Sequence, residues 1–282
     1  MIKKAILSLI SNWNLFVIRL LAFISWKRFF SGFKSAIIYN KDFKGSWTVD
    51  MDAYHLSQRL QTVAGYVLPG ARLADIGSDH AYLPANLALN GKIATAIAGE
   101  VVTGPFENAV QEIHGLQLEK KIHVRQADGL AAIHSGEIID VITICGMGGS
   151  LICQILAAGF EQLGKRPRLI LQPNVNEAGV RKWLEINCYQ IVAEEIIAEA
   201  GHIYEIIVAD PTATAIALSE KAKMFGPLLL QERSAVFLEK WQQEQIKLQH
   251  VLKQMQQAQT EPLTKERLLQ QKINMIEEVL HD

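Results

Sequence analysis

At 282 residues and 49% hydrophobic side chains, the chain has room for one full α/β domain and a smaller appendage. Only Cys145, Cys153 and Cys188 are present, an odd number without paired spacing, which excludes a disulfide framework and fits a reducing compartment, the cytoplasm. The eight histidines are scattered singly, so no metal site is expected, and the net charge of −1 hides segments of +6 (residues 1–50), −7 (51–218) and 0 (219–282).

The +6 segment comes first. Ala5 to Trp26 is apolar-rich but broken by Ser8, Ser11, Asn12, Asn14 and Arg19, a poor match to the ~20 predominantly apolar residues of a spanning helix. No stable membrane span is expected. Lys3 and Lys4 before an apolar run imitate a signal peptide, yet no small-residue cleavage site follows. An interfacial helix, a nucleic-acid-binding arm and a native start at Met51 all fit this stretch. The third is favoured here, because regular amphipathic spacing begins just after Met51 with Leu56, Leu60, Val63 and Val67.

From residue 51 strand and helix patterns alternate, as in a parallel sheet covered on both faces. Strands are predicted at Arg72–Ile76, Ile93–Ala98, Ile122–Arg125, Val141–Cys145, Leu169–Gln172, Gln190–Ile197 and Tyr204–Ala209. Helices are predicted near Leu83–Leu89, Pro105–Leu116, Ser150–Leu163 and Val175–Ile186. The fold class is therefore α/β, a Rossmann-like open sheet ending in an antiparallel hairpin.

The first strand leads into Asp75-Ile76-Gly77-Ser78-Asp79-His80-Ala81-Tyr82-Leu83-Pro84. A strand, a tight turn and a helix start form a nucleotide seat. Asp79 stands where a dinucleotide fingerprint has its second glycine, which argues against NAD and toward S-adenosylmethionine (AdoMet). A well-capped turn without a ligand is the bland alternative.

Ligands of such sheets bind beyond the carboxyl ends of the strands. There stand Gly99-Glu100, Ala127-Asp128-Gly129, Gly146-Met147-Gly148-Gly149 and Pro173-Asn174. Glu100, about 20 residues past the first glycine loop, is spaced to accept hydrogen bonds from ribose hydroxyls. Asp128 is placed to accept from an adenine amino group. Singly, Glu100 reads as a surface carboxylate, Asp128 as a cap for Leu130–Ile133 and the glycines as a tight turn; together on one rim they read as a ligand site.

After residue 219 the chain changes character. Phe225-Gly226-Pro227 marks a break, and Leu230–Gln257 reads as one helix with Phe237, Trp241, Leu248, Leu252 and Met255 on one side. Glu261-Pro262 turns the chain, and Leu269, Ile273, Ile276 and Leu280 follow at helical spacing. An antiparallel coiled-coil hairpin over 219–282 is expected, either as a stabilising handle or as a substrate-binding arm.

Taken together, Ala74 to Pro84, Ala98-Gly99-Glu100-Val101, Ala127 to Leu130, Cys145 to Gly149, Leu171 to Asn174 and Gly201-His202-Ile203-Tyr204-Glu205 carry a family likeness. From about residue 53 onward the chain resembles the bacterial tRNA (adenine-22-N1)-methyltransferases, class I AdoMet-dependent enzymes with a Rossmann-like domain and a C-terminal coiled coil. The first ~50 residues have no counterpart in that pattern. The resemblance implies tRNA as partner and AdoMet as cofactor. It also implies that Asp75, Gly77, Ser78 and His80 shape the methionine end, Glu100 holds the ribose, and Asp128 with Gly129 meets the adenine. Gly146 and Met147 would lie in the target-base loop, with Asn174 nearby.

Adenine N1 carries a lone pair, so attack on a sulfonium methyl needs no base, and alignment worth ~7–11 kcal/mol becomes the main term. Asp79 or a carbonyl of the Gly146–Gly148 loop is the expected stabiliser of the cationic product, and Tyr82 the residue that packs on or bonds to the extruded adenine. Lys165-Arg166-Pro167-Arg168, Lys120-Lys121 with Arg125, and Arg181-Lys182 are the local basic clusters. Since the body is acidic, RNA docking is expected to need residues 219–282 as well, so their deletion would spare AdoMet binding and remove tRNA methylation. A monomer is expected. An AdoMet-dependent enzyme of another RNA, a small molecule or a protein, and a non-catalytic RNA-binding protein with AdoMet as structural ligand, remain open alternatives.

Overall fold

A computed structural model describes residues 51–258 and 263–281. The readings of residues 1–50 and of the Glu261-Pro262 turn lie outside the described residues. Helix α1 (Gln58–Tyr66) opens the fold, its first turn closed by Ser57, whose Oγ accepts from the Leu60 N–H at 3.3 Å. There follow β1 (Ala71–Ile76), α2 (Tyr82–Leu89), β2 (Ile93–Glu100), α3 (Thr103–Gly115), β3 (Ile122–Gln126), β4 (Val141–Met147), α4 (Gly149–Ala158), β5 (Arg168–Pro173), α5 (Glu177–Ile186), β6 (Tyr189–Glu199) and β7 (His202–Pro211).

All seven predicted strands form. They make one sheet of order β3-β2-β1-β4-β5-β7-β6, parallel up to β5, with β7 antiparallel to both β5 and β6. The chain moves outward from β1 through β2 to β3, then crosses back to place β4 on the other side of β1. That reversal opens a crevice at the carboxyl ends of β1 and β4, where such sheets bind ligands.

Side-chain alternation at period two divides the core between the faces. Leu73, Val141, Ile170, Ile206 and Val208 pack with the residues of α1, α2 and α3 on one face. Ala74, Ile76, Ile142, Ile144, Leu169, Leu171 and Ile207 pack with Ile152, Leu156, Val180 and Leu184 of α4 and α5 on the other. Both faces are covered, so the parallel strands read as apolar runs.

Beyond the sheet come α6 (Glu220–Phe225), α7 (Leu229–Glu232), α8 (Ala235–Ala258) and α9 (Leu263–His281). The helix expected over Leu230–Gln257 is interrupted: Arg233 takes the left-handed region (φ 51°), and Ser234 Oγ accepts from the Phe237 N–H at 3.3 Å to begin α8 afresh. Likewise the helix expected over Ser150–Leu163 stops at Ala158, and Phe160–Leu163 forms a 3-10 turn. Helices α8 and α9 run antiparallel, since Gln256 donates to Glu266 at 2.9 Å and Gln245 to Glu277 at 3.1 Å. Their apolar packing concentrates at the end nearest the sheet, where Phe237, Trp241, Ile276 and Val279 join Phe225, Leu229 and Ile196.

A buried ion cluster fastens this end to the sheet. Arg181 on α5, fully buried, donates to Glu194 of β6 at 2.7 Å and to Glu205 of β7 at 2.5 Å, and reaches the carbonyls of Lys223 and Met224 at the end of α6. Lys240 of α8 joins Glu205 at 2.7 Å and Glu177 at 2.6 Å. Gly226 (φ 89°) passes so close that a Cβ there would stand 2.7 Å from the Arg181 guanidinium, which is why the break falls on a glycine.

Candidate active site

The crevice between β1 and β4 holds a cavity of about 430 Å³. Asp75, Gly77, Ser78, Asp79, Glu100, Asp128, Gly129, Gly146 and Met147, all expected in the site, line it together. His80 and Tyr82, from the same loop, are not part of its wall; they stack on each other at 5.1 Å between centroids and 13° between planes. Asn174 lies just across, its Nδ2 donating to the Gly146 carbonyl at 2.8 Å.

The loop after β1 is held tightly. The Gly77 and Ser78 N–H groups both donate to the Gly99 carbonyl, at 2.8 and 3.1 Å. Gly77 has φ 72°, and a Cβ there would meet the Met147 methyl at 2.0 Å, so both backbone conformation and space demand glycine. His80 (φ 57°) and Ala81 (φ 55°) are also left-handed, two consecutive strained positions of the kind that gather at functional sites.

Asp75 is buried beneath this loop and accepts from the hydroxyls of Ser78 and, at 2.6 Å, Thr143. Burial pushes its carboxyl above the usual carboxylate range, against those two hydrogen bonds and the charge of Arg59; Glu100 adds to the rise. Glu100 takes the N–H groups of Val101 (2.9 Å) and Val102 (3.0 Å) on Oε1, and its Oε2 has no hydrogen bond among the described residues. Asp128 is exposed and stands at the N-cap of the 3-10 turn Gly129–Ala132, where its carbonyl accepts from the Ala131 N–H at 3.1 Å while its side chain makes no cap bond. Both carboxylates therefore keep acceptor capacity at the cavity.

Two residues escaped the sequence reading. Arg59 of α1 reaches the cavity, donates to Gln172 Oε1 at 2.7 Å and lies 5.4 Å over the Tyr204 ring. Its signal was available, since it is the one charged residue of α1. Gln172, fully buried, also accepts from the Gly146 N–H at 2.9 Å and donates to Asn174 Oδ1 at 3.0 Å. Arg59, Gln172, Asn174 and Gly146 thus form one hydrogen-bonded floor that fixes the loop after β4.

The basic clusters are largely occupied within the fold. Arg125 pairs with Glu137 at 2.7 Å, Arg168 with Asp210 at 2.6 Å, Arg166 donates to the Asn187 carbonyl, and Arg181 is buried. Lys120, Lys121, Lys165 and Lys182 remain exposed. Among the described residues no group of acids, cysteines and histidines could hold a metal, and no helix is long and apolar enough to cross a membrane.

A family model described as tRNA (adenine(22)-N(1))-methyltransferase matches residues 73–278. A Bacillus subtilis (strain 168) protein of that same name is 45% identical over 236 residues, which is 82% of this chain and 99% of the relative. Among solved structures, the B. subtilis M1A22 tRNA methyltransferase TrmK aligns with a TM-score of 0.75 at 42% identity, covering 80% of this chain and 99% of that one. A Streptococcus pneumoniae protein in complex with S-adenosyl-L-methionine aligns with a TM-score of 0.73 at 46% identity, over 80% of this chain and 100% of that one. The likeness runs through the strands, the loops that line the cavity and the C-terminal helices alike, and the chain belongs to the tRNA (adenine(22)-N(1))-methyltransferase family.

Proposed function

We propose that this protein transfers a methyl group from AdoMet to N1 of adenine 22 in tRNA. The observation that carries the reading is the cavity at the sheet's reversal point, where the family's loops converge with unspent acceptors at Glu100 and Asp128. Its residues suit AdoMet on three counts. Glycine at 77 leaves room for a close approach, Glu100 Oε2 is open to a ribose hydroxyl, and the buried Asp75 carboxyl stands where a cationic amino-acid end gains most from it. Bound AdoMet supplies an electrophilic methyl on a sulfonium.

Asp75, Gly77 and Ser78 hold the methionine end, with Arg59 beside them as a cation for its carboxylate. Glu100 takes the ribose, and Asp128 with Gly129 the adenine of the cofactor. Gly146 and Met147, braced by Gln172 and Asn174, form the wall between cofactor and target base. Tyr82, held by its stack on His80, packs against the extruded adenine, and Asp79, largely exposed at the rim, lies near the charge that develops on the methylated ring. The enzyme works in the cytoplasm as a monomer, with residues 51–218 as catalytic body and 219–282 as RNA-docking unit.

The test is methyl transfer from labelled AdoMet to an unmodified tRNA carrying adenine at position 22, beside the same transcript with guanine there. Label is expected only in the adenine form. Equal labelling of both transcripts rejects the site, and no labelling of either, with AdoMet bound, rejects the substrate.

A further inference from the structure

One family motif has no direct role in the reaction as described. In Gly201-His202-Ile203-Tyr204-Glu205, Glu205 serves the ion cluster and Tyr204 meets the reaction only through Arg59 over its ring, while His202 has no part in it. His202 and Tyr204 line a second cavity, of about 680 Å³, between the β6–β7 turn, the loop from β5 to α5 and the first turns of α8. Its size is within the range of small-ligand sites.

This cleft adjoins the AdoMet cavity at two points. Asn174, on its wall, donates to the carbonyl of Gly146, which lines the other cavity. Arg59 lines the AdoMet cavity and lies over the ring of Tyr204, which lines the cleft. One layer of residues separates the two.

The wall chemistry selects the occupant. His202 is exposed, its ring centroid lies 6.2 Å from that of Tyr204 with 48° between the planes, and Arg59 lies 5.4 Å over the Tyr204 ring, so His202 offers the open aromatic face and Tyr204 flanks it. An open aromatic face of this kind stacks an unpaired base. A phosphate is disfavoured: Lys240 is already neutralised by Glu177 and Glu205, Lys247 is met by Glu244 at 3.7 Å, and Glu239 adds a further carboxylate. That carboxylate and the Gln243 amide suit the amino edge of a base instead.

We infer that this cleft receives an unpaired nucleotide flanking the methylated adenine, stacked on His202 beside Tyr204 with its amino edge toward Gln243 and Glu239. The inference rests on the proposed tRNA reaction and adds a determinant of sequence context to it. When the target adenine is drawn out of the tRNA, its neighbour loses a stacking partner, and the cleft replaces it.

The experiment places 2-aminopurine at the nucleotide on either side of the target in an unmodified transcript and follows its fluorescence on binding to the full-length protein. It compares the wild type with His202→Ala and with the His202→Ala/Tyr204→Leu pair. Quenching by the wild type is expected, with loss in the variants, a rise of about tenfold or more in KM for tRNA, and unchanged AdoMet affinity. Equal quenching and equal KM in wild type and in variants that bind AdoMet normally overturn the inference. Should the double variant lose AdoMet binding, the exposed His202→Ala change alone decides by the same two readouts. A wild type that quenches the probe without methylating the tRNA refutes the proposed reaction and still supports the cleft.

Discussion

At Asp75 a carboxyl group sits under the rim of the sheet with its ordinary value of 3.8 shifted upward by burial. A folded value above the unfolded one means that folding takes up a proton in between. The penalty is absent below 3.8 and complete above the raised value, so this residue favours the fold less as pH rises through that window. A cation bound beside it favours the ionised form, so binding AdoMet there would release the proton, and affinity should increase as pH rises toward the raised value. Calorimetric titration of AdoMet from acid to neutral pH should show this rise, whereas Asp75→Asn should bind weakly with a flat profile. A sloping profile in the variant would assign the titration to another group. Tyr82 poses a question of a different kind, since burial and the acids Glu112, Asp79 and Asp52 raise its phenol and keep it neutral. If its ring is the contact, Tyr82→Phe should keep most of kcat and Tyr82→Ala should lose at least tenfold; a loss in Phe as large as in Ala would mean that the hydroxyl acts.

The elements were legible where periodicity is strong and less so where position depends on distant partners. Seven apolar runs gave seven strands because each is buried on both faces or on one, which writes itself into the sequence. The place of β7 between β5 and β6 was not readable, since β6 and β7 carry similar apolar runs and only assembly decides which of them meets β5. The arginines near 125, 168 and 181 looked available because their partners Glu137, Asp210, Glu194 and Glu205 lie 12 to 42 residues away in the chain. Arg59 was missed for a related reason: a single cation on an amphipathic helix shows its purpose only once Gln172 is beside it. The ion cluster also changes how the C-terminal unit should be tested. Removing residues 219–282 strips Lys240 from Glu205 and the α6 carbonyls from Arg181, so the cut damages the body as well as the C-terminal helices. Arg181→Met, which leaves Glu194 buried without a cation and Glu205 with Lys240 alone, should cost about 3–5 kcal/mol in denaturant unfolding. A change below about 1 kcal/mol would show that water or Lys240 replaces the guanidinium.

For the molecule as a whole, an acidic body of −7 must meet a polyanion. With its arginines committed to internal pairs, the body offers few cations, Lys120, Lys121, Lys165 and Lys182 among them. Counterion release should then be modest. A log–log plot of tRNA affinity against salt is expected to slope less steeply than about −4, each neutralised phosphate contributing about −0.7 to −0.9. A steeper slope, measured by fluorescence anisotropy, would mean that residues outside 51–218 supply most of the phosphate contacts.

The strand order carries one more consequence, in time rather than in space. Among the described residues strand β6 pairs only with β7, yet it precedes β7 in the chain. During synthesis β6 leaves the ribosome before the segment that joins it to the sheet exists, and its ladder closes from the turn, Glu199 with His202 first, only as β7 emerges. The edge of β5 stays unpaired for the same interval, so this protein passes through a stage in which β5 and β6 both lack the strand that later lies between them, and its nascent chain is most exposed to aggregation just before that hairpin closes.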